Sequence, residues 1–104
     1  MRGAQARALI YRAMGASIGE RVFFDRDVSV MDSDLLTVGN DVCVCTGAYL
    51  VGHELSHGMA FVQDAVSVGD GCRLGESTRI APGVTVRSGV HVPSLTSTMP
   101  GEKW

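Results

Sequence analysis

The stretch that decides the fold is Val68-Gly-Asp-Gly-Cys-Arg-Leu-Gly-Glu-Ser-Thr-Arg-Ile-Ala-Pro-Gly-Val-Thr-Val-Arg-Ser-Gly-Val-His-Val92. Every sixth residue in it (Val68, Leu74, Ile80, Val86 and Val92) is aliphatic. The residue two before each (Val66, Cys72, Thr78, Val84 and Val90) is small or β-branched. Gly69, Asp70, Gly71, Gly75, Pro82, Gly83 and Gly89 fall between them. A helix repeats at about 3.6 residues and an unbroken strand at about 2. A period of six instead predicts a short strand with two inward side chains, then a tight turn. Repeated, such units wind into a solenoid of stacked parallel strands.

The register runs upstream. Val38, Val44 and Leu50 keep it, with Val42 and Ala48 as small companions, and Val62 with Ala60 stays in phase. Ser56 and Glu54 are poor members of the series. Ile18, Phe24 and Val30 have the same period two residues out of step, so a slip is expected within Met31-Asp-Ser-Asp-Leu-Leu-Thr37. With three hexads per coil, the expected inward columns are Ile18/Val38/Leu74/Val92, Phe24/Val44/Val62/Ile80 and Val30/Leu50/Val68/Val86. Three faces would close a triangular prism around an aliphatic core.

The bulk composition agrees. A chain of 104 residues suits one domain, and 45% hydrophobic content with few aromatics fits thin aliphatic rungs. The 13 glycines are explained by turns. A net charge of −2 gives no reason to expect nucleic acid or an anionic membrane as partner. No apolar run approaches the roughly 18 residues of a membrane span. Cys72 falls on an inward position, while Cys43 and Cys45 are too close on one strand for an easy disulfide. The odd count favours a reducing, cytoplasmic setting. A Cys-x-Cys metal site would need further ligands that the sequence does not supply.

Residues 1–15 are expected to form an N-terminal helical cap, since 2–14 are mostly good helix formers and Gly15 is a natural stop. The segment is Arg-rich and acid-free until Glu20, so a mitochondrial presequence is the alternative. Residues 16–94 are assigned to the solenoid. A loop at 53–61 is expected to lift off the prism and return by Val62, because the phase survives there while the inward aliphatics are lost. Residues 95–104 are expected to be a tail that crosses the last coil or runs into solvent.

The loop carries the candidate chemistry, as loops on rigid scaffolds commonly do. His53, with His57 as alternate, could act as general base, because an imidazole with an ordinary pKa near 6.5 accepts protons near neutral pH. Glu54 or Asp64 could orient the ring. Two histidines on a polar loop can also be simply solvated. Ser56 beside His57 lacks any nucleophile elbow, and Gly69, Gly71 and Gly75 have neither the spacing nor the helix of a dinucleotide site. Zinc held by His53, His57 and His91 would require a subunit boundary, so no metal is expected within one chain. Arg73, Arg79 and Arg87 lie outside the prism, and Arg79 and Arg87 are candidates for cofactor phosphates.

Val38-Gly-Asn-Asp, Val68-Gly-Asp-Gly, Leu74-Gly-Glu-Ser and Ile80-Ala-Pro-Gly-Val-Thr-Val86 resemble the repeats of hexapeptide-repeat acyltransferases. The resemblance covers 16–94 and implies an all-β, single-stranded left-handed parallel β-helix. Met14-Gly-Ala-Ser-Ile-Gly19, Asp34-Leu-Leu-Thr-Val-Gly39 and Leu95-Thr-Ser-Thr-Met-Pro-Gly-Glu102 are similar to the terminal hexapeptide domains of nonribosomal-peptide-synthetase-like proteins of the polylysine-synthetase type. The family resemblance implies a homotrimer and acyl-coenzyme A, such as acetyl-coenzyme A, bound between neighbouring prisms as co-substrate. It also implies a small-molecule hydroxyl or amine acceptor, with His53, after Gly52, at the position of the family's general base. A non-catalytic docking module inherited from a synthetase-like protein is the alternative. The γ-carbonic-anhydrase branch shares the fold, but its ligands run as one upstream histidine and then a close pair. Here the pair comes first.

Overall fold

A computed structural model describes residues 3–55 and 61–104. The chain opens with helix α1 (Gly3–Ala13), laid over the first coil. Ala8 is buried beneath it. The Tyr11 ring meets Phe24 edge-on at 4.9 Å, and its hydroxyl donates to the Val28 carbonyl at 3.2 Å. Arg7 Nη1 donates to the Phe24 carbonyl at 3.0 Å. These contacts cover backbone and core that the open end of a solenoid would expose.

The first coil contains β1 (Ser17–Ile18), β2 (Phe23–Phe24) and β3 (Ser29–Met31). The second contains β4 (Leu36–Val38), β5 (Cys43–Val44) and β6 (Tyr49–Val51). An antiparallel hairpin follows, β7 (His53–Leu55) with β8 (Phe61–Gln63). The third coil is β9 (Val66–Val68), β10 (Arg73–Leu74) and β11 (Arg79–Ile80), and the fourth begins with β12 (Thr85–Val86) and β13 (His91–Val92). Pairing between coils is parallel throughout. The strands build three faces in the orders β1-β4-β9-β12, β2-β5-β10-β13 and β3-β6-β11.

The inward columns are Ile18/Val38/Val68/Val86, Phe24/Val44/Leu74/Val92 and Val30/Leu50/Ile80. They differ from the expected columns after the second coil, and Val62 belongs to none of them. Ile18 lies beside Val38, twenty residues on, and Val38 beside Val68, thirty on. Regular hexads give eighteen, as between Val68 and Val86. The first excess of two is the slip, built as a 3-10 turn at Ser33–Leu35. The second excess of twelve is the hairpin, closed where the Asp64 amide donates to the Gly52 carbonyl at 3.0 Å. Twelve residues are two whole hexads, so phase is preserved although β7 and β8 pair with each other and not with the prism. That is why Val62 looks like a column member in sequence but stands in β8 instead.

Phe24, Val44, Leu50, Leu74, Ile80, Val86 and Val92 are buried, as are the small companions Val42, Ala48, Val66, Cys72, Thr78 and Val84. At one corner the polar turn residues bond coil to coil. Asn40 Oδ1 accepts the Glu20 amide at 2.8 Å, and Asp70 Oδ1 accepts the Asn40 amide at 2.7 Å. A Cβ on Gly39 would lie 2.2 Å from that Asp70 oxygen, so only glycine admits the carboxylate there.

The segment 95–104, expected to cross the last coil or run into solvent, continues the prism instead. Ser97 bridges to Arg79 and Lys103 to Thr85, both in parallel. The six-residue count therefore runs on from Val92 through Thr98 to Trp104. Thr98 is buried, and its hydroxyl donates to the Arg79 carbonyl at 2.8 Å and accepts the Ala81 amide at 2.9 Å. A threonine occupies an aliphatic's place because both its hydrogen-bonding roles are filled. Trp104 packs against the core.

Candidate functional site

The site grows from the two places where the hexad count breaks. Met31 pairs with Val51, so the corner after β3 lies directly beside the corner after β6. At the first, Asp32 adopts a left-handed backbone (φ 63), which an aspartate tolerates better than most residues. Its carbonyl accepts the Leu35 amide at 2.8 Å, and its carboxylate makes no capping hydrogen bond to the 3-10 turn. At the second corner, Gly52 leads into β7. A Cβ on Gly52 would stand 3.0 Å from Asp32 Cβ and 3.0 Å from Leu35 Cδ1. The missing side chain lets the carboxylate reach the next residue.

That residue is His53. Its Nδ1 is hydrogen-bonded to Asp32 Oδ2. A carboxylate only accepts, so Nδ1 carries the hydrogen and Nε2 of the neutral ring keeps its lone pair. The ring also stacks on Phe61, with centroids 5.8 Å apart and planes 19° apart. Both ring and carboxylate are half-buried, with side-chain exposures of 37% and 22%. A solvated histidine would have neither fixed partner. Around Asp32 and Gly52, the side chains of Leu35, Leu36, Leu50 and Val66 leave no space that would hold a water molecule. The apolar side of Asp32 is therefore dry.

The carboxylate at the ring is thus Asp32's, not that of Glu54 or Asp64. Glu54 points to the opposite side of β7 and accepts from Arg79 Nη2 at 3.2 Å. Asp64 closes the hairpin, and its Oδ1 accepts the Ala65 amide at 2.8 Å. Arg87 lies at the end of the first face and donates through Nε to the Trp104 carbonyl at 3.0 Å. Arg79 belongs to the third face, so the two candidate phosphate ligands do not share one. His57 lies outside the described residues. His91 is exposed in β13, beside Arg73. Asp32 was missed because it lies a full coil from His53 in sequence. The available signal was the two-residue slip itself, which puts an acid on the edge that the loop leaves one coil later.

Elsewhere on the outer surface, burial first and the neighbouring Cys45 thiol second push the Cys43 thiol above its usual range. The hydrogen bond from Arg21 holds the Asp41 carboxyl below its usual value. A wider cleft of about 410 Å³ lies between α1 and the first coil, lined by Ala8, Leu9, Arg12, Arg21 and Val22 among others. Its guanidiniums are engaged by the Ile18 and Gly19 carbonyls and by Asp41. Among the described residues, no helix is long and apolar enough to cross a membrane.

Among solved structures, the chain is similar to a galactoside acetyltransferase in complex with coenzyme A. The TM-score is 0.59 at 16% identity, over 97% of this chain and 66% of that one. The chain is a left-handed parallel β-helix. At that identity the likeness is one of fold, and the β-helix here spans 66% of its neighbour's length. No family model matches the sequence, and no curated protein does.

Proposed function

We propose that this β-helix transfers an acyl group from acyl-coenzyme A to a hydroxyl or amine of a small-molecule acceptor, with His53 as general base. The observation that carries the proposal is the bond between His53 Nδ1 and Asp32, which leaves the lone pair on Nε2 of a ring stacked on Phe61. Nε2 takes the acceptor's proton as its oxygen or nitrogen attacks the thioester carbonyl carbon. The tetrahedral oxyanion is steadied by backbone amides, the C–S bond breaks, and the imidazolium returns the proton to the departing thiolate. Asp32 stabilises the imidazolium between those steps. A neighbour of the same fold that binds coenzyme A supports the choice of acyl donor. The working unit is a homotrimer with the donor lying between prisms, and the evolutionary relatives are the synthetase-like hexapeptide domains.

A second reading, a non-catalytic docking module, is favoured by the internal engagement of Arg79 and Arg87. Titration with acetyl-coenzyme A, followed by thiol release in the presence of pooled alcohols, amines and sugars, separates the two. Catalysis requires saturable binding and turnover, with His53→Ala binding the thioester but failing to release thiol. Absence of thioester binding would leave the docking module.

A further inference from the structure

Side chains alternate across a strand, and opposite partners in an antiparallel pair share a face. In the hairpin, His53, Leu55, Phe61 and Gln63 therefore stand on one face, and Glu54 and Val62 on the other. The stacked rings of His53 and Phe61 agree with that assignment, as does the turning of Glu54 to Arg79. The face carrying the base is apolar where it is most exposed. Phe61 is 62% accessible, Leu55 is 57%, and Met31, the residue before Asp32, is 43%. Of the charged groups here, Asp32 is paired with His53 and Glu54 with Arg79. Among the described residues, Gln63 adds one amide to this face.

Resting on the acyl-transfer reading, we infer that the acceptor is a molecule with an uncharged apolar or aromatic body bearing a single hydroxyl or amine, not a polyol. Any group that delivers its proton to Nε2 must lie against the ring edge, with the rest of the molecule over Phe61 and Leu55. A sugar placed there would lose water from several hydroxyls and find few partners among the described residues, and each unsatisfied group opposes binding. An aromatic or branched body instead removes two large apolar side chains from water and stacks on Phe61. Specificity then lies in Phe61 and Leu55, while proton transfer lies in His53.

The test uses the whole chain with two probes, 3-phenylpropanol and methyl β-galactoside. Binding is followed through the ring resonances of His53 and Phe61, and acetylation through thiol release from acetyl-coenzyme A. The expected result is saturable shifts with phenylpropanol only. Phe61→Ala should weaken that binding by about 10- to 100-fold, Leu55→Ser should weaken it less, and Phe61→Leu should recover most of it. Equal or better binding of the galactoside, binding of neither probe, or an unchanged affinity in Phe61→Ala would overturn the inference. Loss of binding that accompanies a lower sedimentation coefficient in Phe61→Ala would place a neighbouring copy on this face and overturn it as well. Phenylpropanol that binds without being acetylated would leave the apolar site standing and remove acyl transfer. Galactoside acetylated through His53 would do the reverse.

Discussion

Asp32 and His53, 21 residues apart in the chain, meet because the hexad count breaks twice at the same corner of the prism, in successive coils. The first break turns the backbone left-handed and releases a carboxylate. The second releases a hairpin whose first residue is the histidine. In the third coil the same corner is the regular Ala81-Pro82 turn. An otherwise repetitive rod thus acquires one chemically distinct edge.

Asp32→Asn keeps the size of the side chain but presents an amide to Nδ1, so the ring can adopt the tautomer that places hydrogen on Nε2. The acyl-transfer rate is expected to fall by about 10²-fold, with little change in the KM for acetyl-coenzyme A. Steady-state thiol-release kinetics check this, and an unchanged kcat would show that Asp32 does not position the base.

Gly52→Ala would place a methyl 3.0 Å from both Asp32 Cβ and Leu35 Cδ1. One of these must move. Overpacking of this kind costs about 1–3 kcal/mol, to be read as a lower Tm. The rate should drop along with it, because the added methyl also stands 3.3 Å from Asp32 Oδ2, the atom bonded to His53. A variant as stable and active as the parent would contradict the close approach.

Thr78 is buried in the core, and its Oγ1 has no hydrogen-bond partner among the described residues. Cys72, one hexad earlier, places its thiol 3.0 Å from the Arg87 carbonyl. Thr78→Val keeps the shape and removes the unsatisfied hydroxyl, so it should stabilise the protein by about 1 kcal/mol. Chemical denaturation measures the change, and destabilisation would mean that the hydroxyl has a partner.

The Cys43 thiol titrates above its ordinary value of 9.0, first because it is partly buried and second because Cys45 adjoins it. At pH 8 less of it is thiolate than of a free cysteine. Alkylation by iodoacetamide should therefore be slower than for a model thiol and should quicken as the pH is raised past 9. Cys45 and Cys72 are buried and should react only after unfolding. Mass spectrometry of the alkylated native protein reads all three positions, and rapid labelling of Cys43 at pH 8 would contradict the raised value.

Much of this was legible in the sequence, because a period of six is visible wherever each hexad contributes one large and one small inward residue. Ile18, Phe24, Val44, Leu74 and Val92 could be placed inside from that pattern alone. The stacking order could not, since removing two whole hexads leaves the phase of Leu74 unchanged while moving it from Val38's column to Val44's. The last coil was obscured for a different reason. Thr98 and Trp104 keep the count, but neither looks like an inward aliphatic, and the hydrogen bonds that make Thr98 acceptable are formed by another coil. His53 stood out as a histidine on the irregular loop. Asp32 did not, because its partner is brought to it by the stacking of coils rather than by any local spacing.

The central claim is that Asp32 fixes the hydrogen of the neutral His53 ring on Nδ1 and so presents Nε2 as the base. Nitrogen-15 correlation spectra of the histidine rings measure this directly at a pH where His53 is neutral. The expected result is a protonated-type shift at Nδ1 and an unprotonated one at Nε2, with the pattern lost in Asp32→Ala. A ring protonated on Nε2 in the parent protein would contradict it.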